Sequence, residues 1–326
     1  MKELTMIEAI NQALAHEMAR DSSVVILGED VGADGGVFRA TVDLKKEFGY
    51  KRVMDTPLAE ALIAGLSVGM ATQGLKPVAE IQFLGFIYAA LEQIVSHASR
   101  MRNRTRGRLS CPLVIRSPFG GGIHAPEMHS ESVEAMLAHI PGLRVVIPSS
   151  PARAYGLLLA SIRDADPVIF LEPARLYRAV KHDISQHLEP LPLDTCFTLR
   201  AGSDITLVTW GSQVLECLKA WAELAAENIS AEVIDVATVK PIDIETILTS
   251  VKKTGRIMIV HEAARTNGIG AEIAALVAER AFGELKVAPR RITGYDTIMP
   301  YYRLEKFYLP SEKEIIRAAK EMVTSI

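Results

Sequence analysis

Apolar residues in this chain fall into short unbroken runs separated by longer stretches with helical spacing, and the two alternate from one end to the other. The runs Val24–Leu27, Arg52–Met54, Val78–Ile81, Leu113–Arg116, Arg144–Ile147 and Val168–Leu171 predict strands. Helical patterns over about 6–19, 57–73, 86–103, 130–139 and 151–163 lie between them. Strand, helix, strand in this order is the signature of βα units in a parallel sheet. The strands lack polar alternation, so the sheet should be covered on both faces.

The pattern lapses after Glu172. Residues 173–203 carry Pro173, Pro190 and Pro192 with scattered charges and no sustained period, which reads as a connection between domains. A second series follows, with strands at Ile205–Trp210, Ala231–Val236, Ile257–Val260 and Arg290–Thr293. Its helices are expected at about 212–227, 243–252 and 269–281, with a last one from Glu312. Two α/β domains are therefore expected: 1–180, a connection over 181–203, and 204–326. The length of 326 residues suits two such units.

Composition narrows the partners. Apolar residues make up 49% and charged residues 23%, ordinary globular values. A net charge of −3 gives no field to hold nucleic acid or an anionic membrane. The five arginines at 100, 102, 104, 106 and 108 have no interleaved aromatics, so they suit a solvated helix end or an acidic partner subunit. Cys111, Cys196 and Cys217 are too scattered for a disulfide framework. With no signal or transit peptide and no apolar run of membrane-spanning length, a cytoplasmic protein is expected.

Two segments carry candidate chemistry. In Met54-Asp55-Thr56-Pro57-Leu58-Ala59-Glu60 a strand ends and a helix opens, with Thr56 expected as N-cap and Pro57 at the first helical position. Glu60 then lies in the first turn, beyond the carboxyl end of a strand, where open α/β sheets bind ligands. The glycine triplet Gly120-Gly121-Gly122 precedes His124 and His129, loop histidines suited to acid/base work near neutral pH. Other motifs fail: Gly268-Ile269-Gly270 lacks the third glycine of a dinucleotide fingerprint, His261-Glu262 lacks a second histidine, and Gly211-Ser212-Gln213 is no nucleophile elbow. The second domain offers no chemistry of its own.

Taken together, Leu27-Gly28-Glu29-Asp30-Val31-Gly32, Asp55-Thr56-Pro57-Leu58-Ala59-Glu60, Glu80-Ile81-Gln82-Phe83 and His129-Ser130-Glu131-Ser132 resemble the β subunit of the E1 component of 2-oxo acid dehydrogenase complexes. Residues 141–148 and 166–172, Thr254-Gly255-Arg256 and Val260-His261-Glu262-Ala263 continue the resemblance. It implies a thiamine diphosphate enzyme and an α2β2 heterotetramer. This chain would supply a pyrimidine-binding domain followed by a transketolase C-terminal-like domain, each of three layers around a largely parallel sheet.

By the same resemblance Glu60 is the carboxyl that hydrogen-bonds the aminopyrimidine ring, and Leu58, Gln82 and Phe86 line its pocket. His129 sits where a lipoyl group reaches the cofactor and assists reductive acylation; His124 matches only some branches. Leu113, Ser161, Ile162, Asp164 and Asp166 match a monovalent-cation site, potassium in type, built mostly of carbonyls. The sequence has no Gly-Asp-Gly, so Mg²⁺ and the diphosphate are expected to be held mainly by an α subunit.

The function implied is oxidative decarboxylation of a 2-oxo acid with transfer of the acyl unit to a lipoyl group of an E2 acyltransferase core. The loop Gly-Gly-Ile-His-Ala-Pro-Glu-Met-His favours pyruvate. Phe170-Leu171-Glu172-Pro173 and Val260-His261-Glu262-Ala263 look equally like branched-chain enzymes, and an acetoin-type substrate also stays open. A noncatalytic scaffold would have no need of both Glu60 and His129, and a nicotinamide-dependent dehydrogenase is opposed by the failed fingerprint.

Overall fold

A computed structural model describes residues 3–184 and 189–325. Met1, Lys2, Ile326 and residues 185–188 of the expected connection lie outside the described residues.

The first sheet has seven strands. In spatial order they are Thr238–Lys240, Arg144–Val146, Val168–Pro173, Val114–Phe119, Lys76–Glu80, Val24–Gly28 and Val53–Asp55. All pair in parallel except Thr238–Lys240, which runs antiparallel to Arg144–Val146. Strands 24–28, 114–119 and 168–173 are buried along their whole length, as expected of a sheet covered on both faces. On one face pack the helices Met6–Arg20 and Pro151–Arg163, which also pack on each other. The first opens on a capping box in which Thr5 and Glu8 satisfy each other's backbone amides.

The second sheet has five strands, ordered Arg290–Gly294, Ile257–Ala264, Ile205–Thr209, Ala231–Asp235 and Phe197–Arg200, with the last antiparallel to its neighbour. One apolar cluster runs from the first sheet (Ile115, Leu171) through Ile63, Ile247 and Ile273 to the second (Val208, Ile259). The two units therefore share a core, and Thr238–Lys240 from the second half of the sequence completes an edge of the first sheet.

The structure corrects several expectations. The helix expected over 57–73 is Glu60–Thr72; its N-cap is Ala59, with no side-chain cap, and the buried Thr56 hydroxyl has no partner among the described residues. Glu60 is nonetheless in the first turn. The helix expected over 86–103 is a chain of short pieces, Leu84–Ala90, Leu91–Ser96, Ala98–Arg100 and Met101–Arg104, interrupted where His97 leaves helical geometry at φ −122°, ψ −64°. The helix expected over 130–139 is only Glu134–Ala138, because Ser130 to Val133 belong to the preceding loop. The expected connection contains the strands Lys181–Asp183, paired with Glu3–Thr5, and Phe197–Arg200.

Candidate functional site

The carboxyl ends of strands 76–80, 114–119 and 168–173 carry a buried ionic cluster that the sequence did not announce. Arg116, 1% exposed, contacts Glu80 and donates to both oxygens of Glu172 at 2.7 and 2.9 Å, while the Tyr177 hydroxyl donates to Glu172 at 2.5 Å. Burial alone would lower the Arg116 pKa; the carboxylates of Glu172 and Glu80 overturn that and raise it. This cluster is a rigid floor beneath the loops that leave those strands.

Glu60 and Glu29 lie at one end of this edge. Glu29 follows the strand Val24–Gly28, and only 7% of it is exposed. Burial raises its pKa first, and the neighbouring charges of Glu60 and Asp30 raise it further. Asp55 is turned away: it accepts from the Gly32 and Ala33 amides at 2.6 and 3.1 Å and pairs with Lys45 at 2.7 Å, fixing the loop after Gly28. Glu60 itself is half-buried, and Leu58 beside it is 80% exposed.

The next strand end brings Gln82, Phe83 and Phe86, all half-buried. His129 comes in from its own loop and sets its ring 4.3 Å from Phe83 and 5.2 Å from Phe86, centroid to centroid. The structure thus joins Phe86 and His129, separated in sequence, into one aromatic wall. His129 Nδ1 lies 2.8 Å from the Glu127 carbonyl. A carbonyl only accepts, so Nδ1 carries a proton, which leaves Nε2 as the ring nitrogen turned to other partners.

His124 is exposed at φ +57°, its Nε2 3.5 Å from Glu305, and it does not join that wall. The cation candidates are elsewhere: Leu113 and residues 161–166 sit at the amino edge of the sheet, opposite Glu60. The Leu113 carbonyl accepts from Val168 N at 2.9 Å and that of Ser161 from Asp164 N at 3.3 Å, with Ile162 buried between. The carboxylates of Asp164 and Asp166 are engaged by Arg144 at 2.9 Å and Arg102 at 2.7 Å. Among the described residues, no three His, Cys, Asp or Glu side chains gather as a metal site.

Contrary to the sequence reading, the second domain does reach the site. Glu262, 5% exposed, accepts from Ser132 Oγ and Ser212 Oγ at 2.8 Å and from Gly121 N at 3.2 Å. Glu305 accepts from Gly122 N at 2.6 Å and His124 N at 3.2 Å. Trp210 donates to Glu134 at 3.2 Å and stacks on His261, a fully buried ring whose pKa burial lowers to about 4. The only sequence signal was that Val260-His261-Glu262-Ala263 ends an apolar strand with polar residues where the sheet's carboxyl edge lies.

Comparisons agree with this build. The family described as "Transketolase, pyrimidine binding domain" matches residues 2–180, and "Transketolase, C-terminal domain" matches 195–315. A solved structure described as a split-gene transketolase, inactive β4 tetramer, superposes with TM-score 0.80 over 99% of both chains at 22% identity, which establishes the fold. Fold and edge together define a transketolase-type two-domain chain.

Full-length relatives narrow this. The chain is 50% identical to the pyruvate dehydrogenase E1 component subunit β of Acholeplasma laidlawii, over 97% of this chain and 96% of the relative. It is 46% identical to that of Bacillus subtilis (strain 168), over 99% of both. The chain belongs to the family of E1 component β subunits.

Proposed function

We propose that this chain is the β subunit of a thiamine-diphosphate-dependent pyruvate dehydrogenase E1. With an α subunit in an α2β2 heterotetramer, it decarboxylates pyruvate oxidatively and passes the acetyl unit to a lipoyl group of an E2 core. The observation that carries the reading is the Phe86–His129 aromatic wall at the carboxyl edge of a parallel sheet, the edge at which Glu60 opens its helix.

Those residues fit a flat, nitrogen-bearing ring: Phe86 offers an aromatic face, Gln82 an amide, and Glu60 a carboxyl able to exchange a proton with a ring nitrogen. When bound, thiamine diphosphate supplies the carbon nucleophile that lets a 2-oxo acid lose carbon dioxide. The Glu60 carboxyl would exchange the activating proton with the ring. His129, with Nε2 free, is placed to give or take a proton as the acyl group leaves for the lipoyl sulfur.

Leu58, Leu62 and Leu66 stand exposed along the start of the Glu60 helix as an apolar ridge suited to a partner subunit. An α subunit covering this ridge would shelter Glu60 from water and bring the groups for Mg²⁺ and the diphosphate. A monovalent cation at the Leu113 and 161–166 carbonyls, remote from Glu60, would brace the fold. Buried free thiols at Cys111, Cys196 and Cys217 suit the reducing cytoplasm, and no described helix is long and apolar enough to cross a membrane.

Substrate choice is tested by assaying the reconstituted complex against pyruvate, branched-chain 2-oxo acids and acetoin. Pyruvate should give the highest kcat/KM; preference for either other class would overturn the assignment.

A further inference from the structure

We propose that Glu262, from the C-terminal domain, is a positioning residue for His129: it fastens together the two ends of the loop that presents this histidine. The loop leaves the strand Val114–Phe119 at Gly120 and re-enters regular structure at Glu134. One oxygen of Glu262 accepts from both sides of its neck, from the Gly121 amide at 3.2 Å and the Ser132 hydroxyl at 2.8 Å. The other oxygen is tied back to its own domain by Ser212 at 2.8 Å. A backbone bond from Gly120 N to the Glu131 carbonyl, 3.0 Å, closes the same neck. His129 lies in the lobe so enclosed.

The glycine at the neck records how close the approach is. Gly120 has φ +84°, and a Cβ placed there would lie 1.9 Å from Glu262 Oε1. No side chain fits unless the carboxylate moves, and moving it breaks three hydrogen bonds in a buried setting, where an unmet polar group is costly. Glu305 grips the opposite flank of the loop at Gly122 and His124, so its hold falls on His124 and not on the Ser132 end. The neck bonds therefore set where the lobe, and the ring against Phe83 and Phe86, can stand. A displacement of about 1 Å in a reacting group can cost up to about 10²-fold in rate.

This inference rests on reading His129 as the acid/base group of the lipoyl step, and the test separates the two. In the heterotetramer reconstituted with its α subunit, two rates are compared: acyl transfer to a lipoyl domain, and decarboxylation with an artificial electron acceptor. The readout is their ratio. Ser132→Ala, a mild change on a half-buried hydroxyl, should lower the ratio about tenfold, and Glu262→Ala should lower it further. Glu262→Gln keeps an acceptor oxygen for Gly121 and Ser132 and should recover most of it. Gly120→Ala should reproduce the loss with Glu262 intact.

His129→Ala is the control. If it lowers the ratio while Ser132→Ala leaves it at the native value, Glu262 does not position the histidine. The same conclusion follows if Glu262→Gln is as impaired as Glu262→Ala. If His129→Ala leaves the ratio unchanged, the reading of His129 falls, and this inference with it. Should Glu262→Ala fail to assemble, Ser132→Ala and Gly120→Ala decide alone.

Discussion

Glu60 and Arg116 are both charged residues at the carboxyl edge of one sheet, yet they answer to different physics. Glu60 is half-buried and chemically available, so an amide in its place keeps shape and loses proton exchange. Glu60→Gln in the assembled heterotetramer should cut turnover by about 10²–10⁴, the usual share of a general acid–base group, with cofactor still bound. Near-normal turnover would remove Glu60 from the chemistry. Arg116 is sealed between Glu80 and Glu172, and truncating one partner of a buried ion cluster leaves charge uncompensated. Arg116→Met should cost about 3–5 kcal/mol in denaturant unfolding; a loss below about 1 kcal/mol would mean that the carboxylates find other partners.

At the scale of elements, what was legible in the sequence was whatever a local period could encode. The strands 24–28, 114–119 and 168–173 are apolar runs buried on both faces, and the helix Pro151–Arg163 lies where the helical spacing places it, opened in the structure by a Ser150 cap and Pro151. The misses are elements set by distant contacts. Thr238–Lys240 is a strand only because the edge of the first sheet receives it. Ser130 to Val133 carry helical spacing but belong to the loop, where Ser132 donates to Glu262 and the Glu131 carbonyl accepts from Gly120 N. Candidate site residues were legible by family resemblance and by position after strand ends, whereas Arg116 and Glu305 gave no local signal, and Glu262 only the polar end of an apolar strand, since their partners are far away in sequence.

Glu134, the first residue of the short helix Glu134–Ala138, shows how such an element reads pH. Burial, with the charge of Glu262 nearby, pushes its carboxyl from 4.5 up to about 7. Between those values the unfolded chain has released a proton that the folded chain keeps, so this group's contribution to stability falls as pH rises through the window. Glu134→Gln lacks that contribution, so its unfolding free energy should fall less steeply with pH there. Urea unfolding of both proteins at a series of pH values checks this, and parallel curves would place the titration elsewhere.

On the proposed function the whole chain supplies half of a site: Glu60, Gln82 and Phe86 would form its pyrimidine side at the sheet edge, next to an exposed leucine ridge, and the charged end of the cofactor would fall to another subunit. The diphosphate and its metal are the most charged and directional contacts available, so they should supply much of the affinity. Calorimetric titration of the purified chain with thiamine diphosphate and Mg²⁺, repeated after adding the α subunit, tests this most directly. Weak binding and no decarboxylation are expected of the chain alone, then two composite sites per heterotetramer once α is present; tight stoichiometric binding without α would mean that the chain holds a complete site.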